Sequence, residues 1–257
     1  MNIRRIVSLL REYCFPSGCA LCGGNLVGAD ECWYGICEPC AKRLRGDRGD
    51  RCDRCGRPLI SEQGRCMSCR NGETRSFDRI VTLYPYRGAC RKLLGAYKFG
   101  RHPALGHFFA ERIRETLEEF PDLRSGEEPL TLVPVPPRPG KVKKTGWDPV
   151  EHLAGLLEQG EAPPKRRSPE RRSPERHSPP IPLRRCLKRL PSQSQKELDR
   201  EHRRRNLLGK IVLRKKPPPA AVLLDDVITT GSTMDACAAA LKAGGTQRVL
   251  GICLFYD

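Results

Sequence analysis

The stretch Ala220-Ala221-Val222-Leu223-Leu224-Asp225-Asp226-Val227-Ile228-Thr229-Thr230-Gly231-Ser232-Thr233 decides the fold. It opens with a continuous apolar run, 220–224, the pattern of a parallel strand buried on both faces. Two carboxylates follow at the carboxyl edge of that strand. Successive strand side chains point to opposite faces, so Asp225 and Asp226 can reach different parts of one ligand in the crevice there. Ionised carboxylates only accept hydrogen bonds, which suits the vicinal hydroxyls of a ribose or a hydrated magnesium ion. Thr229, Thr230, Ser232 and Thr233 then set hydroxyls around Gly231, ahead of the Ala-rich residues 234–243. Ser232 followed by Asp235 has capping-box spacing and places a helix start at this turn. Free N–H groups and the positive end of the helix dipole make such a start a phosphate site. Gly244-Gly245 closes the helix. No Gly-x4-Gly-Lys-Ser/Thr sequence occurs, which excludes a Walker-type loop.

Outward from this stretch, residues 79–86 alternate as a strand does, while 89–99 and 103–120 carry helical periodicity. Residues 130–135 make another strand that runs into Pro134, Pro136 and Pro137. Helices are expected over 147–158 and 196–207, and a last strand over 248–256. Strands alternating with helices predict an α/β domain with a parallel sheet flanked by helices. The 257 residues leave room for a second, smaller unit, so residues 1–75 are read as an amino-terminal module and 76–257 as the α/β domain.

The amino-terminal module is defined by thiols. Cys19-x2-Cys22, Cys37-x2-Cys40, Cys52-x2-Cys55 and Cys66-x2-Cys69 form four knuckles. Two-residue spacing lets both thiolates of a knuckle face one tetrahedral ion, and two knuckles complete a closed four-thiolate site. Chain order groups Cys19, Cys22, Cys37 and Cys40 around one zinc ion and Cys52, Cys55, Cys66 and Cys69 around another, with interleaved pairing as the alternative. An iron–sulfur cluster or a disulfide framework is the competing chemistry. Disulfides need export, and the apolar run 6–10 is too short for a signal peptide; residues 1–15 read instead as a short amphipathic helix, and the protein as cytoplasmic. Closed thiolate sites hold small modules together rather than catalyse. Cys14, Cys32, Cys90, Cys186, Cys237 and Cys253 lack ligand spacing and read as ordinary thiols, Cys14 and Cys32 being the faint candidates for a swapped ligand.

The strand, paired acids and Thr-Thr-Gly-Ser-Thr turn of 223–233 resemble the phosphoribosyl-pyrophosphate motif of the phosphoribosyltransferases. That resemblance implies that Asp225 and Asp226 contact the ribose hydroxyls of magnesium–phosphoribosyl pyrophosphate, while Thr229, Thr230, Gly231, Ser232 and Thr233 hold the 5′-phosphate, with Val227 and Ile228 between them also counted as substrate-binding. The wider order of elements resembles the ComF family: a zinc-binding amino end, Tyr97-Lys98-Phe99-Gly100, Val133-Pro134-Val135-Pro136, Arg203-Arg204-Arg205-Asn206, then the ribose-phosphate motif. ComF-like proteins share the type I phosphoribosyltransferase-like fold and are associated with DNA uptake and processing in natural transformation. Carried over by position, Lys98, Arg203 and Arg204 become candidates for binding pyrophosphate, against the alternative of plain surface charge. Where that family has Arg-Gly-Phe-Asn-Gln, this chain has Lys144-Thr145-Gly146-Trp147-Asp148-Pro149, which removes an amide pair able to recognise an acceptor base.

Residues 160–182 carry the tandem pentapeptides Arg166-Arg167-Ser168-Pro169-Glu170 and Arg171-Arg172-Ser173-Pro174-Glu175. Such Arg/Ser/Pro repeats cannot build a core and are expected to be a disordered insertion, either a duplicated linker or a tether for a polyanion. Formal net charge is +17; two four-thiolate zinc sites would lower it to about +13. That balance favours a polyanionic partner such as nucleic acid without setting a fold. No apolar run reaches transmembrane length. Two functions of different class follow. One is an enzyme transferring ribose 5-phosphate from phosphoribosyl pyrophosphate; the other is a noncatalytic adaptor whose knuckles and basic surface hold single-stranded DNA or DNA-uptake proteins.

Overall fold

The computed structural model of the protein describes residues 18–45, 50–71, 74–100, 102–119, 130–160, 180–191 and 209–257. Among the expectations above, the helix over 1–15 with Cys14, the helix over 196–207 with Arg203 and Arg204, and all but the margins of the insertion 160–182 lie outside the described residues.

Four strands form one parallel sheet: β1 (Arg79–Pro85), β2 (Thr131–Pro134), β5 (Ala220–Ile228) and β6 (Arg248–Tyr256). Their spatial order is β1-β6-β5-β2, so the two longest and most apolar strands occupy the middle. Burial on both faces explains why these strands read as unbroken apolar runs. A separate antiparallel pair joins β3 (Leu187–Arg189) to β4 (Ile211–Leu213).

Helices cover both faces. Val222, Leu224, Leu250 and Ile252 share one core cluster with α4 (Gly88–Lys98), α5 (Ala104–Glu119) and α7 (Pro149–Gln159). Ala221, Leu223 and Val249 share the other with α8 (Ser232–Ala243) and the β3–β4 pair. Neighbouring residues of β5 thus feed opposite cores, as strand alternation requires. The short α6 (Lys141–Thr145) follows the proline-rich exit of β2.

The cysteine-rich segment adds three short helices, α1 (Ala29–Tyr34), α2 (Glu38–Arg45) and α3 (Met67–Arg70). Cys19, Leu26, Ile36, Cys40 and Leu44 belong to the same core cluster as α5 and α7. This half of the segment therefore completes the helix layer of the sheet and has no separate core of its own.

β5 runs further than the apolar run 220–224 indicates. Its pairing with β6 continues through Asp225↔Cys253 to Ile228↔Tyr256, whereas its pairing with β2 stops at Pro134↔Leu224. Prolines at 134, 136 and 137 cannot extend a ladder, and the last bond on that side is from Val135 N to Leu224 O at 2.9 Å. The two acids consequently sit inside a strand that is braced on one side and open on the other.

Candidate ligand site and metal centres

The open side of β5 is where a crevice forms. Lys98, Arg138, Asp225 and the turn 227–234 line a cavity of about 390 Å³ at the carboxyl edge of the sheet. Asp226 is buried and its Oδ2 lies 2.6 Å from Lys98 Nζ at the end of α4. Lys98 is held by its neighbour: the Tyr97 hydroxyl, fully buried, donates to the Pro149 carbonyl at 2.9 Å and lies 3.0 Å from His152 Nδ1. Asp225 Oδ1 accepts from the Asp226 N–H at 2.8 Å. Burial, reinforced by the adjacent Asp226 carboxylate, pushes the Asp225 carboxyl up to about 7. A carboxyl held that high gains from any cation or hydroxyl donor that enters the cavity.

After Ile228, whose side chain is in the core, the chain turns through exposed Thr229 and half-buried Thr230. Gly231 adopts φ 75°, a left-handed conformation that favours glycine, and serves as N-cap of α8. Thr230 Oγ1 and Ser232 Oγ lie 2.8 Å apart across it. The helix starts where the sequence indicates, but not through a capping box. Asp235 instead accepts from the Ser76 N–H at 2.6 Å, tying α8 to the segment that enters β1. Arg75 Nη2 donates to the Thr230 carbonyl at 3.2 Å, fixing the turn from behind. The first turn of a twelve-residue helix therefore borders a cavity that is also lined by one acid, Asp225, and two cations, Lys98 and Arg138.

The structure thus brings Lys98, Asp225, Asp226 and the 229–233 turn together. Arg138 joins them from the loop after β2, and no motif identified it beforehand. The available signal was its place just past an apolar strand in Val133-Pro134-Val135-Pro136-Pro137-Arg138. The segment 144–149 has a structural role: Asp148 caps α7 by accepting from the Val150 N–H at 3.1 Å, with Pro149 at the first helical position. Trp147 packs on His152 with ring centroids 4.7 Å apart. Burial pushes the Asp148 carboxyl up, with nearby Lys141 opposing.

The eight knuckle cysteines form two groups, Cys19, Cys22, Cys37 and Cys40, and Cys52, Cys55, Cys66 and Cys69, each with its sulfurs within 4.8 Å of one another. Both groups use one plan. In the first, Gly23 N donates to Cys19 O and Cys19 N to Gly24 O, closed by the Gly18–Asn25 bridge. In the second, Gly56 N donates to Cys52 O and Cys52 N to Arg57 O, closed by the Arg51–Pro58 bridge. The remaining pair of each group comes from the start of a helix, Cys37 and Cys40 at α2, Cys66 and Cys69 at α3. Burial opposes ionisation of Cys19 and Cys52, yet nearby backbone N–H groups bring both down to about 7. The donor set, all sulfur and closed, fits a structural zinc ion in each group. Among the described residues no helix is long and apolar enough to cross a membrane.

No protein-family model matches this chain, and a search of curated proteins finds no match.

Proposed function

We propose that this is a ComF-like protein with a phosphoribosyltransferase-like domain, which binds magnesium–phosphoribosyl pyrophosphate at the carboxyl edge of its sheet. The observation that carries the reading is the cavity in which Asp225, the Gly231 turn and the first turn of α8 meet beside the Lys98–Asp226 pair. In this reading the turn 229–233 takes the 5′-phosphate, and Asp225 and Asp226 take the ribose hydroxyls or the magnesium ion. Lys98 holds Asp226 in place through its 2.6 Å contact. The reaction is transfer of ribose 5-phosphate to a nitrogen nucleophile with release of pyrophosphate, driven by positioning and charge stabilisation rather than by a protein nucleophile. The two zinc ions are structural, and the cellular role is in DNA uptake or processing.

A second reading, a noncatalytic adaptor for single-stranded DNA, draws on a neighbouring cleft of about 560 Å³ lined by Arg57, Tyr86, Arg87 and Tyr256 beside Thr229 and Thr230. Aromatic rings with arginines are the equipment of a base-stacking surface.

Calorimetric titration of the zinc-loaded protein with magnesium–phosphoribosyl pyrophosphate separates the two. Binding in the micromolar range, of order −8 kcal/mol, that disappears in the Asp225→Asn/Asp226→Asn double variant is the expected result. No heat from the sugar phosphate, with salt-sensitive binding of single-stranded DNA, would transfer the proposal to the second reading.

A further inference from the structure

Lys98 reaches the ligand cavity from the last turn of α4, and that turn has a single anchor. Of residues 95–98 only Tyr97 is buried, and Phe99 at the C-cap is 78% exposed. Phe99 is also right-handed, so no left-handed C-cap closes the helix. An end of this kind frays unless a side chain holds it. Tyr97 does so with its hydroxyl, which lies 2.9 Å from the Pro149 carbonyl and 3.0 Å from His152 Nδ1, both in the first turn of α7.

A hydroxyl carries one proton. The Pro149 carbonyl can only accept, so it takes that proton, and His152 supplies the proton of the second contact. The network therefore assigns the ring as the Nδ1–H tautomer, with the Tyr97 oxygen as acceptor. Burial holds the imidazole below its ordinary pKa, which keeps it neutral near pH 7. The ring is fixed on two further sides. Trp147 packs on it with centroids 4.7 Å apart, and a Cβ on Gly106 would stand 2.6 Å from His152 Cε1 and 2.8 Å from Nδ1. The imidazole thus lies flush on the α5 backbone, closer than any side chain at 106 would allow.

We propose that His152 is a positioning residue for the ligand site: by fixing the Tyr97 hydroxyl it sets the last turn of α4, and with it the Lys98 ammonium 2.6 Å from Asp226 Oδ2. This rests on the function proposed above and adds to it a residue outside the cavity lining. A site that works by placing charges loses affinity and rate when one of them drifts, so the group that holds the turn matters as much as the charge it carries.

The test uses the full zinc-loaded chain and reads the position of Lys98 first without ligand. Acetylation by acetic anhydride, followed by peptide mass spectrometry, reports how freely each lysine amine can be reached. His152→Leu, which keeps the bulk and removes the donor, should raise the Lys98 rate about fivefold, the effect of losing one hydrogen bond, and leave exposed Lys188 unchanged. His152→Asn, whose amide can donate from the same place, should restore the wild-type rate. Calorimetry with magnesium–phosphoribosyl pyrophosphate should then show about fivefold weaker binding in His152→Leu. In a Lys98→Met background His152→Leu should add no further loss, because it acts through Lys98. An unchanged Lys98 rate, or losses that add in the double variant, would overturn the assignment. Should the acetylation rates respond as stated while the wild type binds no phosphoribosyl pyrophosphate, the positioning of Lys98 would stand and the proposed function would fall.

Discussion

The two four-cysteine groups share a turn, a bridge and a helix start, yet they are fastened to the protein by different forces. The first is held by apolar packing: Cys19, Leu26, Ile36, Cys40 and Leu44 enter the core of α5 and α7, and Trp33 lies 4.0 Å from the His107 ring. The second is held by hydrogen bonds along the sheet edge. Ile80 N donates to Arg54 O at 2.8 Å, and Thr82 Oγ1 to Gly56 O at 2.7 Å, so this knuckle covers the open edge of β1. Arg57 Nε also donates to the Tyr256 hydroxyl at 3.0 Å, at the end of β6. Cys55, Cys66 and Cys69 then line a small gap together with Thr229, Thr230 and Gly231. One knuckle thus packs into the helix layer, and the other lies against the back of the 229–231 turn. The same four-thiol plan is packed into a core in one place and set beside the 229–231 turn in the other.

Breaking each group separately is the strongest way to challenge that contrast. A structural zinc ion contributes on the order of 10 kcal/mol in small modules, so either loss should be large. Cys66→Ser, in the second group, should lower affinity for magnesium–phosphoribosyl pyrophosphate at least tenfold, or about 1.4 kcal/mol. Cys40→Ser, in the first, should lower the melting temperature while the folded fraction keeps its affinity within about threefold, roughly 0.7 kcal/mol. Calorimetry and thermal melts on both variants check this, and equal affinity losses would erase the distinction.

The equivalent glycines of the two knuckles sharpen it. Gly23 and Gly56 are both left-handed, at φ 77° and 70°. A Cβ on Gly23 meets nothing within 4 Å, whereas one on Gly56 would lie 2.8 Å from Thr82 Cγ2 and 3.0 Å from the Ile80 carbonyl. Gly23→Ala should cost about 1 kcal/mol for conformation alone, and Gly56→Ala about 3 kcal/mol with the added overpacking. Denaturant midpoints measured with zinc present give both values.

Acidity separates the site from either knuckle. The Asp225 carboxyl, at about 7, binds its proton more tightly in the folded protein than the ordinary carboxylate near 3.9 does in the unfolded chain. Over that interval the native state holds a proton the unfolded state has lost, so this group's contribution to stability falls as pH rises from about 4 to about 7. Asp225→Asn should therefore gain stability over the wild type at pH 8 and lose that advantage by pH 5. Zinc ligands titrate alike in both proteins and cancel in the difference. A constant difference across the range would refute the cause assigned to the shift.

Much of this was legible beforehand because it rests on local chemistry. The apolar run 220–224, the acids and the Gly231 turn need only strand alternation and a left-handed glycine to be read, and the four Cys-x2-Cys pairs need only ligand spacing. What escaped the sequence depends on neighbours distant along the chain. β5 extends through Asp226 because β6 continues beside it, a pairing that no local pattern encodes. Asp235 spends its carboxylate on Ser76, 159 residues away, rather than on its own helix cap. Arg138 and Arg189 look like ordinary members of a basic chain until the fold buries one and turns the other to the cavity. The sharing of one core by the first knuckle pair and α5 was equally invisible, since both segments are separately amphipathic.

The most direct test of the central claim is a crystal structure of the zinc-loaded protein with magnesium–phosphoribosyl pyrophosphate. The account predicts a 5′-phosphate against the N–H groups of 230–233, with ribose hydroxyls or the magnesium ion on Asp225 and Asp226. Ligand density elsewhere, or a cavity that stays empty at saturating concentration, would contradict it.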